Sequence, residues 1–206
     1  MVDKFINNAK KYLFRTDRWG CVTVIKKRLA VTYAHNEHRS LEPGMSIKIY
    51  SIDENVAYDV KVFMTNVLGD WVLLECDVDL CQDDPIWDPV VDGHRYIQLG
   101  LSAPHQKESP FAISTGVICT QRVNMFGHAL GSAGANPGDS GGCCFEESSG
   151  CLIGINVGCE DVPISLEKDT GAQIYQKISS RYAARAHIIP VVTFQFLQKM
   201  FQSKGY

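Results

Sequence analysis

The residues best suited to chemistry stand together in Asn136-Pro137-Gly138-Asp139-Ser140-Gly141-Gly142. The glycines around Ser140 let the chain turn sharply enough for the backbone N–H groups of Gly138 and Ser140 to face one point, with the serine hydroxyl beside them. Two such donors make an oxyanion hole, which stabilises the charge that develops on a carbonyl oxygen during acyl transfer. Each contributes on the order of 3 kcal/mol to lowering the barrier. A serine hydroxyl also needs a base, and an imidazole with its ordinary pKa of about 6.5 can take and return a proton near neutral pH. The same Pro-Gly-Asp and Gly-Gly pairs mark plain turns in many loops, so the stretch alone admits both readings.

Two other residues are candidates to complete that chemistry. His35 ends the apolar stretch Val31-Thr32-Tyr33-Ala34, where a strand end would hold its ring firmly, although a lone histidine in such a place is more often a surface residue. His38 lacks the strand-end context and reads as a loop residue. Asp70 opens the apolar run Trp71-Val72-Leu73-Leu74 after Gly69; by itself it reads as an aspartate in a Gly-Asp turn. Asp53, Asp59 and Asp77 are rivals, and none begins a buried strand as cleanly.

The elements that must position these groups read mostly as short strands. Residues Asp3 to Phe14 place Phe5, Ile6, Ala9, Tyr12 and Leu13 at helical spacings and predict a short amphipathic helix. Strands follow at Cys21 to Ile25, Leu29 to Thr32, Ser46 to Tyr50, Val56 to Val62 and Trp71 to Glu75. The polar stretch Gln82-Asp83-Asp84-Pro85, with Asp88-Pro89 beyond it, cannot continue a central strand and reads as a linker. A second set is predicted at Tyr96 to Leu99, Ala112 to Cys119, Gly142 to Phe145, Cys151 to Asn156, Ala172 to Tyr175 and Ala184 to Ile189. Past Pro190, Phe194, Leu197, Met200 and Phe201 share a helical face. The expected fold is all-β: two antiparallel β-barrels with the active site between them, flanked by short N- and C-terminal helices. Its divisions are 1–15 for the first helix, 16–82 and 95–190 for the barrels, 83–94 for the linker and 191–206 for the last helix.

The loop around Ser140 resembles that of the trypsin-like serine peptidases, in which GDSGG carries the nucleophile and a nearby G-I-x-x-G strand lines the substrate cleft. Here that strand is Gly154-Ile155-Asn156-Val157-Gly158. Val31-Thr32-Tyr33-Ala34-His35 is similar to the family's V-T-A-A-H, with Tyr33 in place of the usual small residue, and Gly69-Asp70-Trp71-Val72-Leu73-Leu74 is similar to its Asp-led apolar strand. The resemblance implies a catalytic set of His35, Asp70 and Ser140, in the chain order of chymotrypsin and not of subtilisin or the α/β-hydrolases. Asp70 would bond one ring nitrogen of His35 and fix its tautomer, while the amides of Gly138 and Ser140 receive the oxyanion. Ala184-Arg185-Ala186-His187-Ile188-Ile189-Pro190 resembles the closing G-F-A-I-P strand of HtrA-type domains, so the likeness runs from about Gly20 to Met200.

The departures narrow the expectation. Asn36 follows His35 where secreted trypsins have cysteine, and no Ile-Val-Gly-Gly segment precedes the first barrel, which argues against activation by a newly cut N-terminus. Gly134, six residues before Ser140, replaces the acidic residue of trypsins and disfavours cleavage after Lys or Arg. The resemblance implies pocket walls from Gly134, Ala135, Asn156, Val157, Gly158, Ala186 and Ile188, suited to a small or medium uncharged side chain. The G-I-N-V-G segment also resembles the G-x-H-x-G of viral 3C-like proteases, with Asn156 where the glutamine-selecting histidine stands. The expected function is therefore an intracellular serine endopeptidase that is not zymogen-activated. Two alternatives stand beside it, a viral polyprotein-processing protease and a pseudoprotease serving as a binding module.

Composition excludes other classes. Twenty Lys plus Arg against 23 Asp plus Glu give a formal charge of −3 without runs of like charge, so the expected partner is a protein or peptide substrate and not nucleic acid. Apolar runs such as Ile188 to Val192 fall far short of the roughly 20 residues that cross a bilayer. The polar, lysine-bearing start, Met1 to Arg15, has no apolar secretory core, so a cytoplasmic location is expected. The eight cysteines lie mostly in apolar strand-like surroundings and read as reduced, packed thiols. Neither they nor the six histidines show ligand spacing, and no metal or organic cofactor is expected.

Overall fold

A computed structural model describes residues 6–7, 9–102, 111–159, 168, 170–174 and 186–196, with backbone alone at Cys159. Among the described residues twelve strands form two closed antiparallel barrels. The first contains β1 (Leu13–Thr16), β2 (Cys21–Lys26), β3 (Leu29–Thr32), β4 (Ser46–Ser51), β5 (Ala57–Asn66) and β6 (Trp71–Cys76), in the order β1-β2-β3-β6-β5-β4. The second contains β7 (Arg95–Gly100), β8 (Ala112–Thr120), β9 (Ala129–Gly131), β10 (Cys143–Glu146), β11 (Leu152–Cys159) and β12 (Ala186–Pro190), in the order β10-β11-β12-β9-β8-β7. Closure removes the free edges that a six-stranded sheet would otherwise expose. This is the trypsin-like arrangement.

Strands β3 and β10 are buried at every position, and β2 at all but its last, because both of their faces are covered. Successive strand residues point to opposite sides, so Cys144 and Ile188 pack inside the second barrel with Tyr96 and Ile118, while Cys143 and Ile189 face the larger core shared with the first barrel. That shared core joins Val22, Val24, Leu73 and Leu74 to Leu99, Phe145, Ile155 and Phe194, and so fixes the two barrels against each other. The segment between the barrels is tied to both: Trp87 donates from Nε1 to the Ile25 carbonyl at 2.9 Å, and the Asp88 N–H donates to the Leu152 carbonyl at 3.1 Å.

Three local expectations differ from the structure. The helix expected through Phe14 gives way by Leu13 to strand β1, which pairs Leu13 with Thr23 on one side and Phe14 with Ser51 on the other; only 6–7 and 9–10 are described as helical. Helical spacing over so few residues is outweighed by the barrel's need for a sixth strand between β2 and β4. Second, residues 171–174 form a helical turn where a strand was expected from Ala172, and Tyr175 lies outside the described residues. The cause is a capping box. Thr170 N–H donates to Gln173 Oε1 at 2.8 Å, and Gln173 N–H donates to Thr170 Oγ1 at 3.3 Å. Third, the segment after Pro190 begins as a 3-10 turn, Val191–Phe194, whose Phe194 ring meets Trp71 edge-on at 5.4 Å, before turning helical as expected at 195–196; the rest of the expected helix, from residue 197, lies outside the described residues.

Candidate active site

Strand β3 ends at Thr32, and the chain leaves it through Tyr33 and Ala34 to place His35 at the barrel end. Asp70 sits in the turn before β6 with φ of 55°, a left-handed conformation that aspartate tolerates better than most residues. Its carboxylate holds two donors. Oδ1 accepts the Ala34 N–H at 2.9 Å and Oδ2 lies 2.6 Å from His35 Nδ1. A carboxylate only accepts, so Nδ1 of His35 carries the proton and Nε2 of the neutral ring is left as the acceptor.

The His35 ring lies 4.5 Å from that of Tyr33, and Tyr33 in turn stacks on His38 at 4.2 Å. The Tyr33 hydroxyl donates to Glu37, and burial followed by that bond pushes the phenol well above its ordinary pKa. Burial alone would raise Glu37, but the Tyr33 phenol, its own backbone N–H and the nearby histidines bring its carboxyl below the usual value. His38 is buried, which lowers its pKa. Thr32 Oγ1 gives its single proton to the Cys21 carbonyl at 2.7 Å, so at 3.1 Å His38 Nδ1 is the donor to that hydroxyl.

The loop between β9 and β10 presents Ser140. Asp139 N–H donates to the Asn136 carbonyl at 2.9 Å, with Pro137 and Gly138 between them and Gly138 at φ of 103°. That is the chemistry of a type II turn, which requires positive φ at its third residue. Gly138 is also packed tightly: a Cβ there would stand 2.8 Å from the Leu101 carbonyl oxygen. Asp139 is 3% exposed; burial raises its carboxyl pKa against the hydrogen bonds from the Asn136 N–H and Ser102.

The first barrel reaches across to this loop. Cys21 Sγ donates to the Gly138 carbonyl at 3.0 Å and Thr23 Oγ1 donates to the Gly141 carbonyl at 2.7 Å. Burial holds the Cys21 thiol far above its ordinary pKa, so it stays a protonated donor. Among the described residues neither the N–H of Gly138 nor that of Ser140 has an acceptor, and Ser140 Oγ bonds neither His35 nor any other group. Active-site hydrogen bonds often tighten only when substrate is bound.

The expected pocket residues fall into two groups. Gly134 and Ala135 are part-exposed on the approach to Ser140, and no atom comes within 4 Å of where a Cβ on Gly134 would stand. Gly158 faces the nucleophile: a Cβ there would be 3.9 Å from Ser140 Oγ. Ala186 and Ile188, by contrast, are fully buried in the interior of the second barrel and have no surface for a substrate, which corrects their expected place in the wall. Val157 is 5% exposed within the shared core, and Asn156 is completely buried with its side chain bonded inside the chain.

Sequence reasoning missed Cys21, Thr23 and His128. His128 Nε2 bonds the Gly69 carbonyl at 3.0 Å and so buttresses the Asp70 turn from the second barrel. No local pattern marks them, because each acts on a partner far along the chain. Among the described residues no helix is long and apolar enough to cross a membrane.

Two six-stranded barrels meeting at a serine loop and a His–Asp pair define the trypsin-like fold. It is similar to that of the serine endoprotease from Yersinia pestis, with a TM-score of 0.64 and 15% identity over the whole of this chain and 68% of that one. No family model matches the sequence, and no curated protein matches it either.

Proposed function

We propose that this chain is a serine endopeptidase acting through Ser140, His35 and Asp70. The observation that carries the reading is the 2.6 Å contact of Asp70 with His35 Nδ1, which presents Nε2 as a base at the end of the barrel that also braces the serine loop. His35 takes the Ser140 proton as the hydroxyl attacks a peptide carbonyl. The amides of Gly138 and Ser140 receive the oxyanion, and the leaving amine takes the proton from His35 as the acyl-enzyme forms. Water, activated by the same imidazole, then releases the acyl group.

The loop is held by bonds internal to the chain, which supports an oxyanion hole formed without cleavage of a precursor. By the resemblance to trypsin-like peptidases, Gly134 in place of an acidic residue favours a small or medium uncharged side chain in the pocket. The Asn156 amide is engaged internally, so it offers no glutamine reader of the kind that would favour a 3C-like specificity.

The test is labelling of the purified chain with a fluorophosphonate, scored by intact mass, with Ser140→Ala as control. One adduct, lost in the variant, is expected. A folded, monodisperse wild-type protein that takes no adduct would replace this reading with that of a pseudoprotease.

A further inference from the structure

The Gly138–Gly141 segment has a glycine at each end, with φ of 103° and 85°. Such positions resist rotation of neighbouring peptides least, so the orientation of the Ser140 N–H depends on the hydrogen bonds that hold the Asp139–Ser140 peptide. In a planar trans peptide the carbonyl and the N–H point in opposite directions, and no peptide in the described chain is cis. Whatever grips the Asp139 carbonyl therefore aims the Ser140 N–H.

Two donors grip it. One is the Gly142 N–H at 3.0 Å, local to the turn; the other is Asn156 Nδ2, also at 3.0 Å, from strand β11. The orientation of the Asn156 carboxamide follows from its partners. The Asp139 carbonyl can only accept, and the Gly158 N–H, 3.3 Å from Oδ1, can only donate. Asn156 is itself clamped to the loop by its backbone. Its carbonyl accepts the Gly141 N–H at 2.7 Å and its N–H donates to the Gly142 carbonyl at 2.8 Å. It is completely buried, so water cannot replace its amide.

We propose that Asn156 is a positioning residue for the oxyanion hole: its carboxamide holds the Asp139–Ser140 peptide so that the Ser140 N–H faces the cleft. The inference rests on the endopeptidase reading and assigns Asn156 a role other than contact with substrate. Without Nδ2 the peptide is held only by the Gly142 N–H within the turn and tilts more easily, turning its N–H away from the developing charge, which costs rate and not binding.

The experiment measures the kinetics of fluorophosphonate labelling for the wild type, Asn156→Asp and Asn156→Ala, resolved into the apparent binding constant and the limiting rate. Exhaustive labelling gives the active fraction, and thermal unfolding reports on the fold. The expected result is a limiting rate lowered about 100-fold in both variants, the usual effect of losing one oxyanion donor. The binding constant should stay within about threefold and the adduct stoichiometry near that of the wild type. A limiting rate unchanged in the labelled fraction, with only the stoichiometry or melting temperature reduced, would mean a merely structural role and overturn the proposal. A wild type that takes no adduct would remove the endopeptidase reading beneath it. Should both variants fail to fold, amide exchange in the wild type decides: slow exchange of the Asn156 carboxamide protons supports the clamp, and exchange at the rate of a free side chain overturns it.

Discussion

Thr23 on β2 of the first barrel donates a 2.7 Å hydrogen bond to the carbonyl of Gly141, one residue beyond Ser140 in the second. The pair is 118 residues apart in sequence, and Thr23 is completely buried. The nucleophile loop is thus fastened to the barrel that carries His35, through bonds from Cys21 and Thr23 that alternate along one face of β2.

Thr23→Val keeps the shape of the side chain and removes the donor, leaving a buried carbonyl without its partner. The expected loss of stability is about 1–3 kcal/mol, read from the denaturation midpoint in urea. Labelling of Ser140 should slow as well, since the loop is then held to the first barrel by Cys21 alone among these side-chain donors. Unchanged stability and labelling would show that the cross-barrel bond is dispensable.

Asp70→Asn preserves the left-handed turn, because asparagine tolerates positive φ as aspartate does. The Ala34 N–H requires an acceptor, so the new amide oxygen faces it and the new NH2 faces His35 Nδ1. That forces the proton onto Nε2, the wrong tautomer for accepting the Ser140 proton. Activity should fall on the order of 10⁴-fold with little change in melting temperature. A variant with wild-type turnover would take Asp70 out of the mechanism.

Glu146 closes β10 at 7% exposure. Burial would raise its carboxyl, but hydrogen bonds from Ser149 and Ser148 outweigh it and bring the pKa from 4.5 to about 2. The folded pKa lies below the unfolded one, so its stabilisation is present above pH 4.5 and is lost as pH falls from there toward 2. Wild type should lose about 1–2 kcal/mol more than Glu146→Gln across that window, allowing for screening by solvent around the turn. Chemical denaturation at a series of pH values checks this; parallel pH curves for the two proteins would show that the carboxylate contributes nothing.

Much of the fold was legible because barrel strands are short, apolar and punctuated by turns. The two runs of strands on either side of the Pro85–Pro89 region match the two barrels that form. The misread elements have identifiable causes. Leu13 and Phe14 fit a helical period as well as a strand, and only pairing with β2 and β4 decides between them. At residues 171–174 the sequence did contain the signal, Thr170 followed three residues later by Gln173, and the apolar content of Ala172 to Tyr175 obscured it.

The candidate site divides in the same way. Short local motifs that resemble those of the trypsin-like peptidases, in that family's order along the chain, singled out Ser140, His35 and Asp70 as candidates, whereas residue type alone left each of them open to a plain turn or surface reading. Sequence could not say that Ala186 and Ile188 point into the barrel while Asn156 turns back on the serine loop, since the face a strand residue presents depends on register with strands far away. Nor could it find Cys21, Thr23 and His128, whose roles exist only once two closed barrels bring residues 59 to 118 positions apart within hydrogen-bond distance. Local chemistry is written residue by residue, whereas the direction of a buried donor is decided by packing, because an unpaired polar group inside a core is too costly to leave unplaced.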